Sequence, residues 1–428
     1  MTHRRLSVDA LARVEGEGGM LVEVRDGQVA DVKLDIFEPP RFFEAFLRGR
    51  DYSEAPDITA RICGICPVAY QMSACAAMED LFGVEVPESI RLMRRLLYCG
   101  EWIESHALHI FFLHAPDFLG FASGIEMARE HRGVVEAALR IKAAGNDLMG
   151  VVGGRSVHPV NVKVGGFHRM PTVAELQAAR PALAAALDDV LGLLPLLAGF
   201  EFPDFEQPYQ YVALGADHGY PLEAGPLVSS DGLREPVSAF STHVVEEHVA
   251  HSNALHASFD GAAYVVGPLA RYSLHSDSLS PLARQAAQAA GLGATCRNPF
   301  RSILVRAVEL VYALEEAVRI IDEWEGSPVA SVEAPVRAGE GHGATEAPRG
   351  LLYHRYRIAD DGTIRQATIV PPTSQNQPAV EADLRAFVQD RLDLPDEQLS
   401  LQCETAIRNY DPCISCATHF LTLRVNRR

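Results

Sequence analysis

The 428-residue sequence predicts an α+β fold: a helix-rich core of long bundled helices, with small antiparallel sheets formed by N- and C-terminal hairpins. Three observations predict it. Four stretches of more than 20 residues carry apolar side chains at three- and four-residue spacing. Two shorter stretches, one near each end, alternate apolar and polar residues around an Asp-Gly pair. No low-complexity linker interrupts the chain, so residues 1–428 read as one large domain.

Taken in order, residues 19–38, GMLVEVRDGQVADVKLDIFE, form the first hairpin around Asp26-Gly27. With the first cysteine pair they make an N-terminal region, 1–80. The helical core, 81–330, holds periodic segments at 88–114, 124–150, 173–199 and 300–325, with Pro181 expected to interrupt the third. Residues 201–240 and 326–348 are richer in Gly, Pro and Ser and read as loops or insertions. The region 331–419 holds the second hairpin, 350–370 around Asp361-Gly362, and the second cysteine pair. Because each hairpin precedes a cysteine pair, the two could join in one small sheet beneath the thiols.

Composition excludes some functions. With 56 acidic against 38 basic residues, net charge −18, the chain is repelled by phosphate backbones, and no Lys/Arg stripe offsets that, so no nucleic-acid partner is expected. No uninterrupted apolar run reaches the ~18 residues of a membrane span, and the N-terminal arginines precede no apolar signal segment. A cytoplasmic location is the default expectation.

The chain has eight cysteines, expected to be reduced thiols. Cys75, Cys99, Cys296 and Cys403 are scattered and read as buried small hydrophobes. The others form two C-x-x-C pairs, Cys63/Cys66 in RICGICPVAY and Cys413/Cys416 in DPCISCATH. Two such pairs can converge on one metal ion. Pro67 suits the first turn of a helix, which places the first pair where the helix dipole favours thiolate, and Asp411-Pro412 gives the second pair the same shape. A divalent ion offsets only half the charge of four thiolates, so a fixed cation is expected nearby. Three other readings stay open on spacing alone. A structural zinc site normally staples a short module, whereas here the loop would be most of the protein. A thioredoxin-like redox pair leaves the second pair unexplained, and a disulfide between pairs is disfavoured in a reducing compartment.

R-x-C-G-x-C at Arg61–Cys66 together with D-P-C-x-x-C-x-x-H at Asp411–His419 resembles the large, catalytic subunit of nickel–iron hydrogenases. The resemblance extends to Arg13-Val14-Glu15-Gly16, to the stretch Arg41–Arg50, to Glu346-Ala347-Pro348-Arg349-Gly350 and to Pro372-Thr373. Details such as PVAYQMSA and ESHALH look most like the cytoplasmic, bidirectional group coupled to NAD(P), including the archaeal sulfhydrogenases.

The resemblance implies reversible H₂ ⇌ 2H⁺ + 2e⁻ by heterolytic cleavage at a thiolate-bound nickel–iron centre. Cys63 and Cys413 would be terminal nickel ligands; Cys66 and Cys416 would bridge nickel to an iron carrying carbon monoxide and cyanide. Arg349 would be the expected cation, binding the cofactor with Pro372 and Thr373 and holding a cyanide, and Asp411 would orient it. Glu15 would take the proton from Cys413. Glu44, the backbone carbonyl of Ile369 and His419 would hold a second, hard cation, magnesium or iron, near the C-terminus. A maturation endopeptidase would cut after His419 and remove residues 420–428.

Two positions depart from the family pattern. Tyr70 stands where a histidine is frequent, and Ser105 where many members have an aspartate before the histidine now at His106. His106 and His109 read as core or supporting histidines rather than ligands. The electrons must leave, yet the four remaining cysteines have no cluster spacing and no G-x-G-x-x-G follows a strand. An iron–sulfur small subunit is therefore implied, with diaphorase subunits binding NAD(P) and flavin beyond it. The alternative is a non-catalytic, metal-stapled scaffold subunit of a respiratory complex; quinone-side subunits of complex I resemble this family without the four thiols.

Overall fold

The computed structural model describes residues 3–216 and 219–419. Its N-terminal sheet is an antiparallel meander of β1 (His3–Val8), β2 (Gly18–Arg25) and β3 (Gln28–Ile36). Asp26 and Gly27 both adopt positive φ, 49° and 77°, as the tight turn of a right-twisted hairpin requires.

Helices α1 (Pro67–Phe82), α2 (Glu88–Leu108), α3 (Arg132–Gly153), α4 (Val173–Ala198) and α5 (Ser302–Glu323) follow. The last four form a bundle in which α2 packs on α3, α3 on α4, α4 on α5 and α5 on α2. Its seam is mainly apolar, as the helical periodicity demands, but is crossed by buried polar contacts such as His106–Glu309 between α2 and α5. Beyond α2 the helix widens into a π segment, His109–His114, so the 88–114 stretch is not one regular helix. Pro181 does not interrupt α4. It lies on the exposed face, where the carbonyl freed by its missing N–H meets water. Among the described residues only α4 is long and apolar enough to cross a membrane, and it packs against α3 and α5.

A two-stranded ribbon, β4 (Val244–Glu247) and β5 (His256–Phe259), precedes a second meander of β6 (Gly339–Ala347), β7 (Gly350–Ile358) and β8 (Ile364–Val370). The two hairpins thus belong to separate sheets, contrary to the single sheet considered from sequence. Each hairpin completes its own three-stranded sheet with a neighbour in sequence, β1 or β6.

Strand β6 occupies part of the Gly-rich stretch read as a loop. Its glycines serve packing: a Cβ on Gly343 would come within 2.4 Å of the backbone of Ser73 and Ala77, so only glycine lets β6 lie against α1. Helices α6 (Pro372–Gln389) and α7 (Asp396–Arg408) close the chain; α6 packs on β3 and β5.

Candidate metal centre

Both cysteine pairs sit at the start of a helix. Cys66 caps α1, with Pro67 in its first turn, and Cys413 precedes a short turn of helix, Ile414–Ala417. The backbone N–H groups of Ile65 and Cys66 donate to Cys63 Sγ at 3.3 and 3.4 Å. Glu101 on α2 accepts from the N–H groups of Val68 and Ala69 at 2.6 and 3.1 Å, and so fixes the entry of α1. Burial holds its carboxyl well above the usual range, while the two N–H donors act in the opposite direction.

The pairs converge. Cys63 Sγ lies 3.5 Å from Cys413 Sγ, and Cys66 Sγ lies 3.5 Å from Cys416 Sγ. All four sulfurs fall within 4.8 Å of one another, each residue is buried, and all are free thiols. Arg41 ties the two segments together, donating to the carbonyls of Ile62 and Ser415. S–H donation from Cys413 and then Cys416, with Arg349 adding its charge, holds Cys63 well below the usual thiol range, while burial pushes Cys413 and Cys416 up.

The fixed cation is present. Arg349, at the β6–β7 turn, is buried; its Nε donates to the carbonyl of Asp411 at 2.9 Å and its Nη2 to Asp411 Oδ1 at 3.1 Å. Burial alone would lower its pKa, but Asp411 and the thiolates hold it well above the ordinary value. Asp411 has φ 50°, a left-handed conformation that turns the chain from α7 into the cysteine loop. Thr373, beside Pro372 in the first turn of α6, accepts the Cys413 N–H at 3.0 Å.

Glu15 meets Cys413 by main chain and side chain. The two residues form a parallel bridge, the Ile414 N–H donates to the Glu15 carbonyl, and Cys413 Sγ lies 3.2 Å from Glu15 Oε2, which also accepts from the Ser415 N–H. A second group assembles nearby. Glu44 Oε1 accepts the Ile369 N–H at 2.8 Å, His419 Nε2 lies 2.8 Å from the Ile369 carbonyl oxygen and 3.9 Å from Glu44 Oε1. Burial pushes Glu44 up to about 7.

A family model described as nickel-dependent hydrogenase matches residues 41–133 and 240–419. The alpha subunit of sulfhydrogenase 1 from Pyrococcus furiosus is 34% identical over 424 residues, 98% of each chain. The chain belongs to the nickel-dependent hydrogenase family. It is a catalytic large subunit, an oxidoreductase acting on hydrogen. The beta subunit of the NAD-reducing hydrogenase HoxS from Cupriavidus necator is 28% identical, covering 98% of this chain and 95% of its own. The solved structure of an NAD⁺-reducing [NiFe]-hydrogenase in the H₂-reduced state superposes with a TM-score of 0.88 at 27% identity, over 97% of this chain and 99% of that one.

The pocket of this hydrogenase subunit fits a nickel–iron centre. Its donor set is four soft sulfurs, and three buried polar atoms around it have no protein partner: Arg349 Nη1, Asp411 Oδ2 and the Tyr70 hydroxyl. Tyr70, on α1 one turn beyond Cys66, thus faces the site where the family often carries histidine. The Ser105 hydroxyl is buried without a partner. His106 Nε2 lies 3.0 Å from Glu309 Oε2, outside hydrogen-bond angles, and His109 Nε2 lies 2.8 Å from the Arg408 carbonyl; neither joins a ligand cluster. Cys75, Cys99, Cys296 and Cys403 are buried apart.

Several supporting residues escaped sequence reasoning. Arg271 is fully buried between Glu309 (2.7 Å) and Glu346 (3.0 Å), stacks over Trp102, and donates to the carbonyls of Ala347 and Pro348, so it shapes the turn that presents Arg349. Arg408 and Arg13 share Asp117, which fastens the segment before Glu15 to the end of α7. Glu246 on β4, pushed up to about 8 by burial and then by the charge of Glu44, adds a second carboxylate beside that group. No local signal marks these residues, because each is an ordinary charged residue until the fold buries it.

Proposed function

We propose that this subunit cleaves hydrogen reversibly and passes the electrons, through an iron–sulfur small subunit, to diaphorase subunits that bind flavin and NAD(P), in the cytoplasm. The convergence of the four sulfurs carries the reading, and the NAD-reducing relatives support the acceptor. Cys63, Cys66, Cys413 and Cys416 would together hold nickel and an iron ligated by carbon monoxide and cyanide. When bound, that group supplies the open coordination position at which hydrogen is polarised.

The chain's own residues supply the rest. Cys413 Sγ is the site from which the proton leaves, and Glu15 Oε2, 3.2 Å away, is within reach to accept it. The free Nη1 of Arg349 is available to donate to a cyanide nitrogen, while the Asp411 contacts fix the plane of the guanidinium, and Pro372 and Thr373 would help bind the cofactor. Glu44, the Ile369 carbonyl and His419 would hold a magnesium or second iron ion. A maturation endopeptidase acting after His419 completes the reading; residues 420–428 lie outside the described residues.

Infrared spectroscopy with metal analysis on one matured, partner-bound sample tests this. Carbon monoxide and cyanide stretching bands with nickel and iron at equal stoichiometry are expected. Zinc in their place, with no such bands, would mean a metal-stapled scaffold.

A further inference from the structure

Apart from the four thiols and the Glu44–His419 group, a cluster of metal-ligating side chains converges among the described residues. His251, His256 and Glu381 bring ligand atoms within 4.8 Å of one another. The three come from separate elements. His251 lies in the loop before β5, His256 opens β5, and Glu381 sits midway along α6. The loop is strapped across the end of β3: the Asn253 N–H donates to the Ile36 carbonyl at 2.7 Å, and its side-chain amide reaches the carbonyls of Phe37 and Glu38.

The cluster is ordered but under-satisfied. Glu381 Oε1 accepts the Leu34 N–H at 2.8 Å and lies 2.7 Å from His251 Nε2. Glu381 Oε2 faces His256 Nδ1 at 4.0 Å, too far for a hydrogen bond. His256 Nε2 is buried and has no partner at all. One histidine would satisfy the carboxylate; the second sits edge-on to the first, ring centroids 5.5 Å apart, with neither nitrogen bonded.

Two imidazoles and one carboxylate facing a common point are a donor set for borderline divalent ions. Ligand atoms at 2.0–2.1 Å from a tetrahedral ion stand roughly 3.3–3.4 Å apart. The observed distances, 2.7 Å from Oε1 to His251 Nε2 and 4.0 Å from Oε2 to His256 Nδ1, lie on either side of that spacing. The Leu34 N–H already fixes the carboxylate, the supporting contact that a ligand of this type needs. We propose that His251, His256 and Glu381 form a further metal site, distinct from the thiolate centre and from the Glu44–His419 group, for a divalent ion of the zinc class, which clips β5 and α6 to the N-terminal sheet.

Access differs from that of the thiolate centre. The side chains of His251 and Glu381 are 21% and 18% exposed, and His251 lines an open cleft of about 300 Å³ with Asp35, Lys33 and Asn253. Three protein ligands leave a fourth position facing that cleft for water. Of the clipped elements, α6 reaches the thiolate pocket and the β4–β5 ribbon reaches the Glu44 group. Helix α6 begins with Thr373, which holds the Cys413 N–H, and β4, paired with β5, carries Glu246 beside Glu44. An ion here would brace the helix that holds Cys413 and the ribbon beside Glu44 from outside.

Cobalt(II) titration of the matured, partner-bound, chelator-washed protein tests the site, because occupied cysteines cannot take the probe. One saturable equivalent is expected, with visible ligand-field bands and no sulfur-to-cobalt charge transfer. The His251→Gln/His256→Gln variant should lose it while its circular dichroism stays unchanged. Should that variant fail to fold, Glu381→Gln retains an oxygen for the Leu34 N–H and should weaken binding by at least about tenfold. The proposal fails if the wild type takes up no such equivalent, if the variants bind it equally, or if the only bound cobalt shows thiolate charge transfer.

Discussion

At the scale of single residues, Glu15 shows how position makes chemistry. Its carboxylate reaches Cys413 Sγ at 3.2 Å only because a parallel main-chain bridge holds the two segments together. Glutamine at this position keeps an oxygen for the Ser415 N–H but cannot accept a proton. Glu15→Gln should therefore lower hydrogen turnover by about 10²–10⁴-fold with nickel and iron content unchanged. Near-normal turnover would remove Glu15 from the proton path. The buried histidines give a second, opposite kind of residue effect. Burial pushes His114 down to about 3, against an ordinary value of 6.5. The unfolded chain then binds a proton that the folded chain refuses, so the contribution of His114 to stability falls as pH drops below 6.5. The stability gap between wild type and His114→Gln, followed by urea denaturation, should shift by about 2 kcal/mol against the wild type between pH 7 and pH 5. A gap that does not move would mean the ring is solvated or already charged.

At the scale of elements, the long bundle helices were legible because their apolar periodicity is local. The errors came where a residue's usual meaning was overridden by its surroundings. Pro181 lies in the interior of α4 because its freed carbonyl faces solvent, and the glycines of β6 serve a close approach rather than a loop. Gly343→Ala places a Cβ 2.4 Å from backbone atoms of α1 and should destabilise by roughly 1–3 kcal/mol or more. Gly150→Ala, in α3 with nothing within 4 Å, should instead be neutral or stabilising by up to about 1 kcal/mol. Thermal unfolding of both variants checks the contrast; equal effects would show that the β6–α1 approach has slack.

At the scale of the whole molecule, the metal pocket is where distant parts of the chain meet. Cys63 and Cys413 are 350 residues apart in sequence and 3.5 Å apart in space. The spacing and chemistry of the four thiols, the two hairpins and the need for a nearby cation could be read from the sequence, because each depends on residue type and on neighbours within a few positions. Which charges became buried partners could not: Arg271 under the Arg349 turn, Glu101 on the first turn of α1, Arg41 across the two cysteine segments and the His251–His256–Glu381 group all join elements far apart along the chain. The sequence by itself determined what the site can bind, since ligand softness belongs to the side chain. Only the tertiary structure decided which side chains share that site, since packing alone brings remote segments within bonding distance and strips the water from their charges.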